Sequence, residues 1–228
     1  MRIVFIRHGE PDYAHDCLTE TGKVQAAAAA ERVKDEGITE IYASPNGRAQ
    51  ETAGYTARKL GLPITTLDYM HEIDWGGVEE ELPLCGHPWT LSERMITEDD
   101  FDFSSQNWME HPYFKTNKAT GFYDRISADF DALLKEHGLV REGTRYRVEQ
   151  ENNGTLAVFS HGGSGACVLA HLLNLPFPTL CAVMPYDFTS VIILDFKGTK
   201  GEYTFPRLEL FNDAAHIHRT AGGPKFDK

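Results

Sequence analysis

The nine residues Arg2 to Glu10, RIVFIRHGE, constrain the fold of this chain more than any other stretch. Ile3, Val4, Phe5 and Ile6 form an unbroken apolar run of β-favouring residues, the pattern of a central strand covered on both faces. The run stops at Arg7. A fixed cation and the His8 imidazole therefore stand where the backbone turns out of the sheet, which is where open α/β sheets bind ligands. Two readings of this stretch are open. Arg7 caps a strand and His8 is a surface or supporting residue, or a neutral His8 attacks phosphorus while Arg7 holds phosphate oxygens with paired donors. The second reading demands further phosphate-binding groups at other strand ends.

Residues 18–37, LTETGKVQAAAAAERVKDEG, read as a helix of strong formers closed by Gly37. Thr19 and Gln25 near its start either pack or face the site. Glu40 to Ala43 is a second strand, broken by Ser44-Pro45-Asn46-Gly47 before a helix from about Arg48 to Leu60 that ends at Gly61. Arg48 then lies in a first helical turn, where a cation opposes the macrodipole by several tenths of a kcal/mol unless an anion shares that end. A third strand, Ile64 to Leu67, leads to Glu72, which stands among apolar and aromatic residues. Such surroundings raise a carboxyl pKa, as a proton donor at neutral pH requires. Asp74, two residues on, is the rival acid.

Asp124 to His137 spaces Ile126, Phe130, Leu133 and Leu134 along one helical face and stops at Gly138. Residues 139–153 read as polar connection. Thr155 to Phe159 repeats the opening pattern, a buried strand running into Ser160-His161-Gly162-Gly163-Ser164-Gly165 and a helix to about Leu173. The glycines admit an anion to a helix N-terminus, although no lysine-serine pair makes this a P-loop. Ser190 to Phe196 and Tyr203 to Phe211 flank a glycine-containing turn and read as an antiparallel hairpin at the sheet edge.

Residues 76–121 lack a clear period. They carry nine acidic residues, including Glu79 to Glu81, against Arg94, Lys115 and Lys118, with six interspersed aromatics. They read as an insertion in a single 228-residue domain, either a lid with short helical pieces or an excursion packed on its own aromatics. The net charge of −12, from 22 Lys and Arg against 34 Asp and Glu, disfavours nucleic-acid and membrane partners. No apolar run reaches eighteen residues and the first strand begins at once, so a cytoplasmic protein is expected. Cys17, Cys85, Cys167 and Cys181 are too scattered for a zinc site or disulfide framework. His216 and His218 form an H-x-H pair without an accompanying cluster, so no metal is expected. The last residues, AGGPKFDK, read as a loose tail.

Arg7 and His8, Arg48, Glu72 and His161 thus all follow predicted strands in a β-α-β-α order. IRHGE, LTETGKVQA, SPNGRAQETA, an E-x-x-x-G segment and FSHGG, in that order and spacing, resemble the histidine phosphatase superfamily, also called the phosphoglycerate mutase-like family. The resemblance implies an α/β fold, a three-layer α/β/α sandwich with a mainly parallel sheet and an antiparallel edge. It also implies a phosphohistidine intermediate, no metal and no cofactor. His8 matches the nucleophile, Arg7 and Arg48 the phosphate-binding arginines, His161 the second pocket histidine and Glu72 the general acid. Gly162 is placed with the phosphate-binding groups. After Trp75 the family's compact continuation gives way to Gly77-Val78 and the acidic insertion, which leaves the substrate open and Asp74 in contention.

The expected chemistry is hydrolysis of a small phosphorylated metabolite. Arg7, Arg48 and a protonated His161 neutralise the phosphoryl oxygens, His8 attacks in line, and Glu72 protonates the leaving alcohol and later activates water. Mutase-type transfer is the alternative, disfavoured because the insertion is short of Arg and Lys to grip a second anionic group. A non-catalytic phosphate-ligand-binding module is a further one. Oligomeric state stays open, a homodimer included.

Overall fold

The computed structural model describes residues 1–77, 86–102 and 104–217. β1 (Arg2–Arg7) leads through a small ladder of β2 (Pro11–Asp12) and β3 (Cys17–Leu18) into α1 (Glu20–Val33), and β4 (Glu40–Ala43), α2 (Gly47–Leu60) and β5 (Ile64–Thr66) follow. α3 (Pro88–Thr97) and the single turn α4 (Pro112–Lys115) precede the long α5 (Lys118–Glu136). Next come β6 (Leu139–Glu142), β7 (Arg145–Val148), β8 (Thr155–Ser160), α6 (Gly162–Leu173) and α7 (Phe177–Val183), then β9 (Val191–Phe196), β10 (Tyr203–Thr204) and β11 (Pro206–Asp213).

The central sheet has the order β11-β9-β1-β8-β4-β5. β1, β8, β4 and β5 run parallel, while β9 and β11 add an antiparallel edge. Strand alternation divides the core into two. Ile3 and Phe5 face a cluster that includes Phe130 of α5, Val168 of α6 and Leu180 of α7. Val4 and Ile6 face Val33 of α1 and Ala53 and Ala57 of α2. This is the expected three-layer α/β/α arrangement, and it explains why β1 is apolar without alternation.

Thr19 caps α1 by accepting from the Gly22 N–H at 3.0 Å, and Gln25 accepts the Glu10 N–H at 2.8 Å. Both therefore secure the loop after β1. α1 ends at Val33, and Gly37 takes its left-handed φ of 71° in the turns beyond. α5 starts at Lys118, capped by Asn117, six residues before the Asp124 start expected from the sequence.

Two expectations need correction. Residues 139–153 are not merely connection: β6 and β7 pair antiparallel, with Tyr146 and Val148 buried and Arg145 and Arg147 exposed. Arg145-Tyr146-Arg147-Val148 carries the alternation of a half-buried strand, but over only four residues. The terminal hairpin also divides, because β9 pairs with β11 while Tyr203 and Thr204 leave to pair with β7 in a second sheet.

Within 76–121 the described residues carry α3, α4 and a 3₁₀ turn at Gln106–Glu110. Trp108 is buried against Phe114, Tyr123 and Phe177, so Trp108 and Phe114 of this segment join the core. Gly76 and Gly86 form a neck, with the Gly76 N–H donating to the Gly86 carbonyl at 3.3 Å and a Cβ on Gly86 reaching 2.4 Å from the Gly76 Cα. Glu79 to Glu81, Cys85, Phe103, His218 and the AGGPKFDK tail lie outside the described residues.

Two helix glycines give opposite expectations. A Cβ on Gly22 would stand 2.2 Å from the Glu10 carbonyl oxygen, whereas one on Gly121 of α5 meets nothing within 4 Å. Gly121→Ala should stabilise by about 0.5–1 kcal/mol, from helix propensity alone. Gly22→Ala should destabilise, by roughly 1–3 kcal/mol, because backbone must shift. Denaturant midpoints of the two variants check both signs.

Candidate functional site

Four adjacent parallel strands deliver the predicted residues to one edge of the sheet. Arg7 and His8 end β1, Ser160 and His161 end β8, Ser44 to Arg48 follow β4, and Glu72 follows β5 after a short turn. Arg7 pairs with Ser160 in register, and the His8 N–H donates to the Ser160 carbonyl at 2.9 Å. The two histidines therefore lie at the same level, with ring centroids 5.1 Å apart.

His8 is buried, and its Nδ1 lies 2.7 Å from the Gly9 carbonyl. A carbonyl only accepts, so Nδ1 carries the proton and Nε2 the lone pair. Burial, reinforced by the Arg7 cation, pushes the His8 pKa well below the usual histidine range. The ring is accordingly neutral and nucleophilic at neutral pH.

The Arg7 Nη1 donates to the Tyr186 carbonyl at 2.8 Å, and its guanidinium stacks 4.3 Å from the Phe188 ring centroid. Arg48 is buried and pairs with Asp16 at 2.5 Å. Asp16 also accepts the Gly47 N–H at 2.7 Å, so this carboxylate sits at the N-terminus of α2. It is the anion that an arginine in a first helical turn requires. Nothing local in the sequence marks Asp16, which lies 32 residues before its partner.

His161 is fully buried, with Nε2 2.7 Å from the Ser44 hydroxyl and Nδ1 without a hydrogen-bond partner. Burial first, then His8, Arg48 and Arg7, hold its pKa well below the usual range. Burial first, with the neighbouring charges adding to it, favours a neutral His161 over the protonated ring expected from the sequence.

Glu72 occupies the N-terminus of α6, accepting from the Ile73, Gly163 and Ser164 N–H groups, each at 3.0 Å. Burial raises its pKa, with these three bonds opposing. The helix end predicted for an anion thus holds a carboxylate of the chain itself, and the glycines serve this approach. A Cβ on Gly163 would meet Glu72 Oε1 at 2.6 Å, and one on Gly165 would meet the Tyr186 hydroxyl at 2.5 Å. Gly162 faces Arg7 and Trp89: a Cβ there would stand 3.4 Å from Trp89 Cζ2 and 3.7 Å from Arg7 Cζ. Asp74 is exposed and lacks the desolvated setting of Glu72.

Sequence reasoning missed the loop at residues 184–190. Tyr186 donates to the His161 and Gly162 carbonyls at 2.9 and 2.7 Å. The Thr189 N–H reaches the carbonyls of Arg7 and His8 at 3.0 and 3.2 Å. Thr189 adopts φ 54°, costly for a β-branched residue, and its hydroxyl meets His216 Nε2 at 3.1 Å. That contact ties His216 to the loop. Among the described residues no group of three His, Cys, Asp or Glu is arranged to hold a metal, and no single helix is long and apolar enough to cross a membrane.

Two guanidiniums, two imidazoles and a half-buried carboxyl meet at the strand ends of a mainly parallel sheet, within an α/β fold. The sequence profile of the histidine phosphatase superfamily (branch 1) matches residues 3–208, and the chain belongs to that family. A probable phosphoglycerate mutase GpmB of Citrobacter koseri is 25% identical over 185 residues, covering 77% of this chain and 76% of that protein. Among solved structures, a phosphoserine phosphatase from Entamoeba histolytica in complex with phosphoserine superposes with a TM-score of 0.64 at 21% identity, covering 95% of this chain and 98% of that one. A mycobacterial glucosyl-3-phosphoglycerate phosphatase complexed with VO3 gives 0.63 at 22%, covering 92% and 98%. These likenesses establish the shared fold.

The buried histidines make an acid-stability prediction. Their folded pKa values are depressed, so below about pH 6.5 the unfolded chain binds protons that the folded chain does not. Their contribution is complete above that pH and is lost as pH falls. Each should cost about 1.4 kcal/mol per pH unit in that window. His161→Gln should flatten the pH dependence of unfolding free energy between pH 6 and 5 by about that slope, as measured by urea titration.

Proposed function

We propose that the protein is a metal-independent phosphomonoester hydrolase that works through a phosphohistidine on His8, acting on a small phosphorylated metabolite. The observation that carries this reading is the His8 ring. It is held neutral by burial and cations, its Nδ1 is committed to the Gly9 carbonyl, and its Nε2 lone pair remains for attack.

The steps follow from charge. Arg7 and Arg48 bind the phosphoryl oxygens, with Arg48 exchanging or sharing its contact with Asp16. His8 Nε2 forms a bond to phosphorus as the phosphorus–ester oxygen bond breaks, and Glu72 gives its proton to the departing oxygen. The carboxylate left behind takes a proton from water, whose oxygen attacks the phosphohistidine and frees His8 and inorganic phosphate. Opposed influences on Glu72 suit both states, since burial favours the acid and three N–H donors favour the carboxylate. α3 acts as part of a lid, bringing Trp89 beside Gly162 and Arg7.

The name of the Citrobacter relative favours a second reading, a phosphoglycerate mutase. Assaying phosphoglycerate isomerisation against phosphate release separates the two, and efficient isomerisation would overturn the hydrolase assignment. Quenching without acid should trap an acid-labile, base-stable phosphoryl adduct on His8, absent in His8→Ala. An adduct elsewhere would refute the nucleophile.

Glu72→Gln should slow alkyl phosphates by about 10²- to 10⁴-fold, because an alkoxide leaves poorly without a proton. p-Nitrophenyl phosphate should lose far less in its first step and show a burst before slow turnover. The pH profile of kcat/KM for alkyl substrates should be bell-shaped, falling on the acid side as His8 takes a proton and on the alkaline side, shifted upward by burial, as Glu72 loses one. Its alkaline limb should vanish in the Gln variant.

A further inference from the structure

Ser44 is fully buried at the end of β4 and takes no part in the steps above, yet its hydroxyl stands 2.7 Å from His161 Nε2. A serine hydroxyl has one proton. Its two candidate acceptors are His161 Nε2 at 2.7 Å and Asn46 Oδ1 at 3.3 Å. Asn46 Oδ1 already accepts the Glu72 N–H at 3.1 Å, and the Asn46 N–H donates to the Ser44 oxygen at 3.2 Å. The Asn46 Nδ2 points to the Asp16 carboxylate at 3.5 Å, which fixes which end of the amide is oxygen. The shorter contact and the less occupied acceptor both direct the Ser44 proton to His161 Nε2.

We infer that Ser44 is a positioning residue that holds neutral His161 as the Nδ1–H tautomer, so that its buried, unpartnered Nδ1 donates to a phosphoryl oxygen without first acquiring a proton. The inference rests on the phosphoryl-transfer reading of the site. The opposite tautomer would turn an Nδ1 lone pair toward an anion and leave only the imidazolium able to bind. Arg7, Arg48, His8 and His71 all disfavour that cation. Ser44 and Asn46 also link the two sides of the pocket, because the same amide oxygen that leaves Ser44 free to serve His161 holds the backbone of the proposed acid.

The test is long-range ¹H–¹⁵N correlation on the ¹⁵N-histidine-labelled full chain at neutral pH, with His161 assigned by its absence in His161→Gln, alongside inorganic phosphate affinity. Wild type should show His161 as the neutral Nδ1–H tautomer. Ser44→Ala should mix the tautomers and weaken phosphate binding roughly ten- to hundredfold, the loss expected when a buried ring nitrogen loses its partner. Ser44→Thr, which keeps the hydroxyl, should restore both. An Nε2–H or doubly protonated His161 in wild type would overturn the inference, as would an Ala variant with tautomer and affinity unchanged. The wild-type spectrum needs no turnover, so it decides the tautomer even if the hydrolase reading fails.

Discussion

The parallel register of β1 on β8 sets everything else at the site. Pairing Arg7 with Ser160 puts His8 and His161 at one height, and β4 and β5 then add Ser44, Arg48 and Glu72 along the same edge. A slip of one residue in that ladder would turn Ile3 and Phe5 into the face now filled by Val4 and Ile6. The hydrophobic cores on both sides of the sheet therefore enforce the geometry of the polar groups at its end. Precision in the site is inherited from burial several residues away.

The site keeps its charges few and separated. Two guanidiniums are fixed, by Tyr186 and Phe188 for Arg7 and by Asp16 for Arg48. Low-dielectric surroundings then push both imidazoles toward neutrality and the carboxyl toward protonation. The effect is to gather two guanidiniums at the strand ends, although the chain as a whole carries −12. Overall charge therefore says little about which small ligand a local constellation accepts.

The elements legible in the sequence were those whose signal is local. The apolar run of β1, the alanine-rich α1 and the Gly61 cap of α2 each carry their own pattern, and the order of strand-end residues carried the family. What escaped notice depends on partners distant in the chain. Asp16 reads as a loop acid until α2 is folded against it. Tyr186 and Thr189 lie in a segment without periodicity, and their roles arise only from contact with β1 and α6. β7 carries its alternation over only four residues, and its partner strands are distant (β10) or irregular in burial (β6). Gly163 was read as an anion cradle because glycines at a helix start permit one. Only the folded chain shows that the anion is Glu72.

The touching glycines of the neck bear on how this chain can vary. Gly76 and Gly86 meet by one hydrogen bond and a close backbone approach, so the two ends of the stretch between them are fixed to one another. Between ends fixed in this way, each doubling of a flexible stretch costs roughly 0.6 kcal/mol in closure entropy. Neither the spacing of Glu72 from α6 nor the footing of α3 is altered by such a change. The neck is an insertion point at which descendants of this sequence can gain or lose residues beside the pocket while the strand ends stay in place.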